Sequence, residues 1–219
     1  ELPLLGIVLP IGISFYTLHT ITYVVDAYRG AIRPTRDFLE FATYVSFFAQ
    51  LVAGPIVRFG QIERDLEAVG AADRTRWLDR GCLLFATGLA KKVLVADTLA
   101  RFVDPILSPP LALSTAEAWL ALGGYAYQLY FDFSGYSDMA LGLGLLFGLR
   151  LPRNFDAPYR ATDPADFWRR WHISLSTLLR DYLFSPLGGA LGGTLRAGRN
   201  LMVAMLIGGL WHGASWTFV

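Results

Sequence analysis

Apolar and charged residues alternate along this chain in blocks the length of whole helices. No charged residue interrupts Leu2–Val25, and none interrupts Asn200–Val219. A helix needs about 20 apolar residues to cross roughly 30 Å of hydrocarbon, so both stretches predict membrane spans. Pro10 and Gly12 would kink the first, which bilayer helices tolerate where neighbours satisfy the freed backbone. Phe38–Leu51 predicts a second helix, broken by Ala53-Gly54-Pro55, and Phe41–Val57 is uncharged but borderline in length for a span. Arg58–Arg80 is charged. Cys82–Val103 is apolar except at Lys91-Lys92, which would sit at an interface where their stems snorkel. Thr115–Tyr130 and Met139–Leu149 predict helices joined by the polar-aromatic stretch YFDFSGYSDMA, and Arg150–Thr162, with Pro152 and Pro158, reads as irregular.

A sharp helix start follows. Asp163 suits the cap, Pro164 the first helical position, and Asp166 the positive end of the dipole. The segment DFWRRWHISLSTLLRDYLF is amphipathic, with Phe167, Trp171, Leu175, Leu178 and Tyr182 on one face and Arg169, Ser176 and Arg180 on the other. Such a helix lies in a membrane interface or lines a polar vestibule. A glycine-rich turn, Pro186–Gly193, precedes the last apolar stretch. The glycines of GLGLLFG at Gly142–Gly148 have the wrong spacing for a dinucleotide loop and fit a close helix-packing face.

Composition strengthens the membrane reading. Of 219 residues 54% are hydrophobic and only 17% charged, against about 25% charged in a typical soluble domain. The net charge of +1 supplies no basic field for nucleic acid. One cysteine, Cys82, excludes an internal disulfide framework and a CxxC site. No secretory signal, P-loop, Rossmann fingerprint, HExxH or GxSxG elbow is visible. Without an initiator Met, and stopping within an apolar run, the chain reads as an internal segment of a longer protein forming one membrane domain over 1–219. Arginines in almost every loop leave its orientation open.

Three histidines are the candidates for chemistry. His212 lies in LIGGLWHGASWTF, where an ionisable group in an apolar segment points to function and a neutral imidazole can take a proton from a hydroxyl. A histidine that packs across a bundle fits the same position. His172 sits at the edge of the apolar face of the amphipathic helix, as an ordinary interfacial histidine would. His19, in SFYTLHT, reads as a buried structural histidine. Asp132 and Asp138 could orient a histidine, bind a cation or satisfy backbone at a helix break. Arg169, Arg170 and Arg180 suit a phosphate or carboxylate, or a lipid headgroup. No metal-ligating pattern stands out.

Four motifs in order, QLVAGPIVRF, YFDFSGYSDMALGLGLLFGLRLPRNFDAPY, DFWRRWHISLSTLLRDYLFSPLGG and GLWHGASWTF, resemble the membrane-bound O-acyltransferases, above all the bacterial alginate O-acetyltransferase branch. The D-alanyl transferases of teichoic acid resemble it more distantly. The resemblance implies an all-α polytopic transmembrane helical bundle with an interfacial amphipathic helix and a central funnel or tunnel. It implies that His212 matches the family's invariant histidine, and that His172 matches a second position, histidine in this branch and often asparagine elsewhere. It implies acyl transfer with His212 as general base and His172 orienting substrate or stabilising charge. Asp132, Asp138, Trp211, Arg169 and Arg170 are the accompanying candidates for binding or orienting substrate.

No bound cofactor is implied. An acyl thioester, acetyl-CoA or an acyl carrier, is the expected donor on the cytoplasmic side. The expected acceptor is an exported polysaccharide such as alginate, reached directly or through periplasmic acetyltransferase partner proteins; cellulose, peptidoglycan and teichoic acid are alternatives. The expected setting is the lipid of a bacterial inner membrane, crossed many times. The competing class is a non-enzymatic transport or scaffold subunit of the same kind of complex, for which charges within apolar stretches also speak.

Overall fold

A computed structural model of the chain describes residues 12–52, 54–69, 75–108, 113–213 and 215–218, and the regular structure among them is entirely helical. The α-helices are α1 (Ile13–Tyr28), α2 (Phe38–Ser46), α3 (Phe59–Ala68), α4 (Thr75–Ala90), α5 (Asp97–Leu107), α6 (Thr115–Leu146), α7 (Pro164–Arg170), α8 (Ile173–Leu179) and α9 (Thr194–His212).

The longest contact is antiparallel. α4 continues through a π-helical turn at Lys91–Ala96 into α5, and this rod packs along α6. Small residues allow the approach: a Cβ at Gly88 would lie 2.5 Å from the Gly135 carbonyl oxygen, and one at Gly142 would lie 2.7 Å from that of Gly81. Of the glycines of GLGLLFG, Gly142 serves the helix contact expected of the motif, while Gly144 packs against Leu149 and Leu151 beyond the end of α6. Lys91 pairs with Asp138, while Lys92 bridges Asp132 and Asp97 at 2.6 Å each. The lysines are thus paired with carboxylates on and beside α6, where snorkelling was expected. A charge in an apolar setting is less costly when paired. The same pairs explain why YFDFSGYSDMA does not interrupt α6: its two carboxylates have partners, Ser134 and Ser137 are small and buried, and Gly135 meets Gly88 of α4.

A second body forms around Tyr44, Phe47, Val57, Phe59, Ile62, Leu149 and Leu151. The Tyr44 hydroxyl lies 3.1 Å from the His19 carbonyl and 3.0 Å from that of Val57. His19 is fully buried, and its Nε2 accepts the Val57 N–H at 3.3 Å. It holds the chain beyond the Gly54-Pro55 break, as the structural reading of this histidine requires.

Asp65 ties α3 to the end of α6. Its carboxylate accepts from the backbone N–H of Arg150 at 2.9 Å and from that guanidinium at 3.0 Å. Burial works against the charged carboxyl, but the hydrogen bonds and charge of Arg150 outweigh it and hold its pKa below the ordinary range. The stabilisation is present above the ordinary carboxylate range and is lost as pH falls through the lowered value. Asp65→Ala is expected to cost about 2 kcal/mol at neutral pH. The deficit should narrow on acidification, as chemical-denaturation midpoints of the two proteins at pH 7 and pH 3 would show.

Two expectations need correction. Among the described residues no helix is long and apolar enough to cross a membrane. The first 11 residues of the chain, with most of the kink expected at Pro10, lie outside the described residues, and α1 runs past Val25 to include Asp26. α9 starts early enough to take Arg196, Arg199 and Asn200 into its first turns, which dilutes the uncharged run beginning at Asn200. The described residues do not define a central funnel or tunnel. The second correction concerns the amphipathic segment. Asp163 caps it as expected, accepting from the Asp166 N–H at 2.8 Å, with Pro164 at the first position. The helix then stops at Arg170 and restarts at Ile173, with His172 at the break. The apolar stripe survives the break, since Leu175 and Leu178 pack with Ile56 against Trp211 and Tyr182.

Candidate active site

Gly148, at φ 86°, ends α6 with a left-handed turn that only glycine adopts freely, and the Leu149 N–H reaches back to the Gly144 carbonyl at 2.7 Å. The chain therefore doubles back along α6 and brings Asn154 beside Ser137. Asn154 is 1% exposed. Its main-chain carbonyl accepts the Ile173 N–H at 2.9 Å, and its Oδ1 accepts the Ser174 N–H at 3.1 Å and the Ser174 hydroxyl at 3.0 Å. These are donors at the start of α8 that the helix itself leaves unsatisfied. Ser174 in turn accepts the Ile56 N–H at 2.9 Å, joining the Gly54-Pro55 segment to the same point. A local competitor thus wins over the continuous helix that periodicity predicts.

His172 occupies the break with φ 43° and ψ 54° and is 4% exposed. The edge of Phe133 from α6 meets its ring at 4.7 Å between centroids. Burial pushes the pKa of this imidazole well below its ordinary value, and proximity to His212 adds to the shift, so the ring is neutral at physiological pH. Its Nε2 is buried and has no hydrogen-bond partner among the described residues.

His212 closes α9. Its Nδ1 lies 2.7 Å from the carbonyl oxygen of Gly208, one turn back. A carbonyl only accepts, so the proton sits on Nδ1 and the lone pair on Nε2. Gly208 is buried against Leu179 of α8, which lets α9 approach closely. The two imidazoles come together at 6.4 Å between centroids with their planes at 73°. Trp211 lies against His212 at 4.9 Å and against Phe15 at 5.5 Å, and its Nε1 is buried without a partner among the described residues. Two imidazoles and an indole N–H thus stand with unused hydrogen-bonding capacity in one neighbourhood.

The remaining candidates are occupied elsewhere. Asp132 and Asp138 engage Lys92 and Lys91. Arg169 faces Asp166 at 3.4 Å, and Arg170 binds Asp166 at 2.9 Å and the Asp156 carbonyl at 3.3 Å. Among the described residues no group of three or more His, Cys, Asp or Glu side chains is placed to share a metal ion. Sequence reasoning overlooked Asn154, Ser174 and Phe133. The signal for Asn154 was its place in a long irregular segment, whose backbone needs partners that a carboxamide supplies as both donor and acceptor.

The model of the family described as "MBOAT, membrane-bound O-acyltransferase family" matches residues 7–219. The chain is 50% identical over 218 residues to the "Probable alginate O-acetylase AlgI" of Azotobacter vinelandii, covering 97% of this chain and 42% of that protein. It is 42% identical to the "Peptidoglycan O-acetyltransferase" of Helicobacter pylori, covering 98% of this chain and 46% of the other. It is 30% identical to the "Teichoic acid D-alanyltransferase" of Streptococcus thermophilus, covering 95% and 53%. The chain therefore spans about half or less of the length of these relatives.

Proposed function

Because the chain belongs to the membrane-bound O-acyltransferase family, we propose that the full-length protein transfers an acyl group, acetyl, from a thioester donor toward hydroxyl groups of an exported polysaccharide such as alginate. The observation that carries this reading is the apposition of His172 and His212, two imidazoles far apart in sequence whose rings meet at 6.4 Å. The names of the relatives point the same way, pairing an acetyl or alanyl group with alginate, peptidoglycan or teichoic acid.

In the proposed step the acceptor oxygen attacks the thioester carbonyl. Its proton passes to Nε2 of His212, the C–O bond forms, and the C–S bond breaks as the tetrahedral intermediate collapses. The thiolate leaves and takes up the proton held by His212, which restores the neutral ring. His172, neutral and with Nε2 unused, donates to or orients the oxygen on which charge develops. A thioester is already activated, so positioning and one proton acceptor suffice.

The donor is presented from the cytoplasmic side of a bacterial inner membrane, and the acetyl group reaches the polymer directly or through periplasmic partner proteins. The scaffold alternative drew on charges inside apolar stretches, and the structure pairs those charges with one another. Polysaccharide O-acetylation by the full-length protein, measured with each imidazole removed in turn at matched membrane levels, is the test; an unchanged degree of acetylation without His212 ends the catalytic reading.

A further inference from the structure

A left-handed backbone at a residue other than glycine is strained and must be held by its surroundings. No hydrogen bond from the buried Nε2 of His172 holds it. Catalytic and metal-binding histidines are commonly oriented by a hydrogen bond to the second ring nitrogen. Here the main chain on both sides of the turn is gripped instead. Before it, the Asp156 N–H donates to the Arg170 carbonyl at 2.9 Å at the end of α7. After it, Asn154 takes the N–H groups of Ile173 and Ser174 and the Ser174 hydroxyl.

We propose that Asn154 is a positioning residue for His172: its buried carboxamide fixes the left-handed turn that points the imidazole toward His212. The inference rests on the acyl-transfer reading of the two histidines. Asn154 is suited to this in three respects. Its Oδ1 accepts twice from residue 174. Its Nδ2 donates at 3.4 Å to Ser137 on α6, the same helix whose Phe133 packs on the His172 ring, so turn and packing surface share one anchor. It is also sealed from solvent, where no water can replace a lost acceptor without new space. A carboxylate would supply the acceptors without the donor, and an aliphatic side chain neither.

The test is a double-substitution cycle in the full-length protein, with acyl transfer and membrane abundance both measured. Asn154→Ala is expected to lower kcat about a hundredfold while donor KM moves little, because a displacement near 1 Å is enough for such a loss. His172→Gly removes the imidazole and leaves no hydrogen-bonding side chain in its place but keeps a residue that tolerates the left-handed region, and should lower kcat to a similar extent. In the His172→Gly background, Asn154→Ala should then cost no more than about twofold. Losses that multiply would overturn the proposal, since Asn154 would be acting independently of the imidazole.

If Asn154→Ala fails to accumulate, Ser174→Ala enters the same cycle, removing one of the donors to Oδ1; its expected tenfold loss, an estimate of about 1.4 kcal/mol for one hydrogen bond, should likewise vanish without His172. A normal rate in His172→Gly alone overturns the assignment of His172 and the proposal with it. A normal rate in Asn154→Ala beside an impaired His172→Gly overturns the positioning role only.

Discussion

His212→Ala is expected to lower acyl transfer by the full-length protein about a thousandfold while leaving its abundance unchanged. A positioned general base contributes about 10²–10⁴-fold, and the locked tautomer places this one in the upper part of that range. The hydrogen bond from Nδ1 to the Gly208 carbonyl removes the unproductive tautomer and leaves Nε2 basic. The fold should tolerate the change because His212 is the last residue of α9 and its side chain is exposed among the described residues, so its removal opens no core cavity. Quantifying O-acetyl groups on the polysaccharide, against immunodetected protein in the same membranes, checks both halves. Full acetylation would remove His212 from the mechanism; lost acetylation with lost protein would make it a packing histidine.

The second large effect concerns the fold. Gly88→Val is expected to prevent accumulation of the folded protein. A Cβ there would lie 2.5 Å from the Gly135 carbonyl oxygen and 2.6 Å from the Met139 backbone nitrogen, and both are main chain of a helix held along its whole length. Side chains can rotate away from an intruding methyl, whereas α6 would have to move as a unit. Overpacking of this kind costs about 1–3 kcal/mol where side chains yield, and more where backbone must. Separation would also pull Lys91 and Lys92 from Asp138 and Asp132. Gly123→Ala, in the partner helix α6, is the control. A Cβ at Gly123 meets nothing within 4 Å, and replacing a mid-helix glycine by alanine should stabilise by about 0.5–1 kcal/mol. Thermal unfolding in detergent that ranks the two variants in the opposite order would show that the α4–α6 contact does not limit stability.

The parts of the fold legible in the sequence are those that depend on local chemistry. Asp163 and Pro164 start α7 as capping rules require, Gly142 of GLGLLFG faces a helix, and His19 is structural. The apolar stripe through Leu175 and Leu178 is also where periodicity puts it. What was not legible depends on partners far away in the chain. Asp132 and Asp138 looked like a break in α6 because Lys91 and Lys92, their partners, belong to a segment more than 30 residues earlier. The amphipathic helix looked continuous because no local residue stops it; the interruption at His172 comes from Asn154. The candidate site shows the same division. Composition singled out both histidines, and the resemblance joined them. The left-handed turn that brings His172 to face His212 required the tertiary structure.

The antiparallel pairing of α4–α5 with α6 also bears on the order in which the molecule forms. The two arms are neighbours in sequence, so the loop between them closes at little entropic cost, and their glycine contacts and charge pairs arise without help from the rest of the chain. The bonds that join the chain before the hairpin to the chain after it close much larger loops: the Ile56 N–H reaches Ser174 across 118 residues, and the Arg150–Asp65 pair spans 85. Pairings of such separation are slow to form. The hairpin is therefore the part able to fold as soon as it is synthesised, and the contacts of Ser174 and Arg150 with residues before it are expected to close around it later.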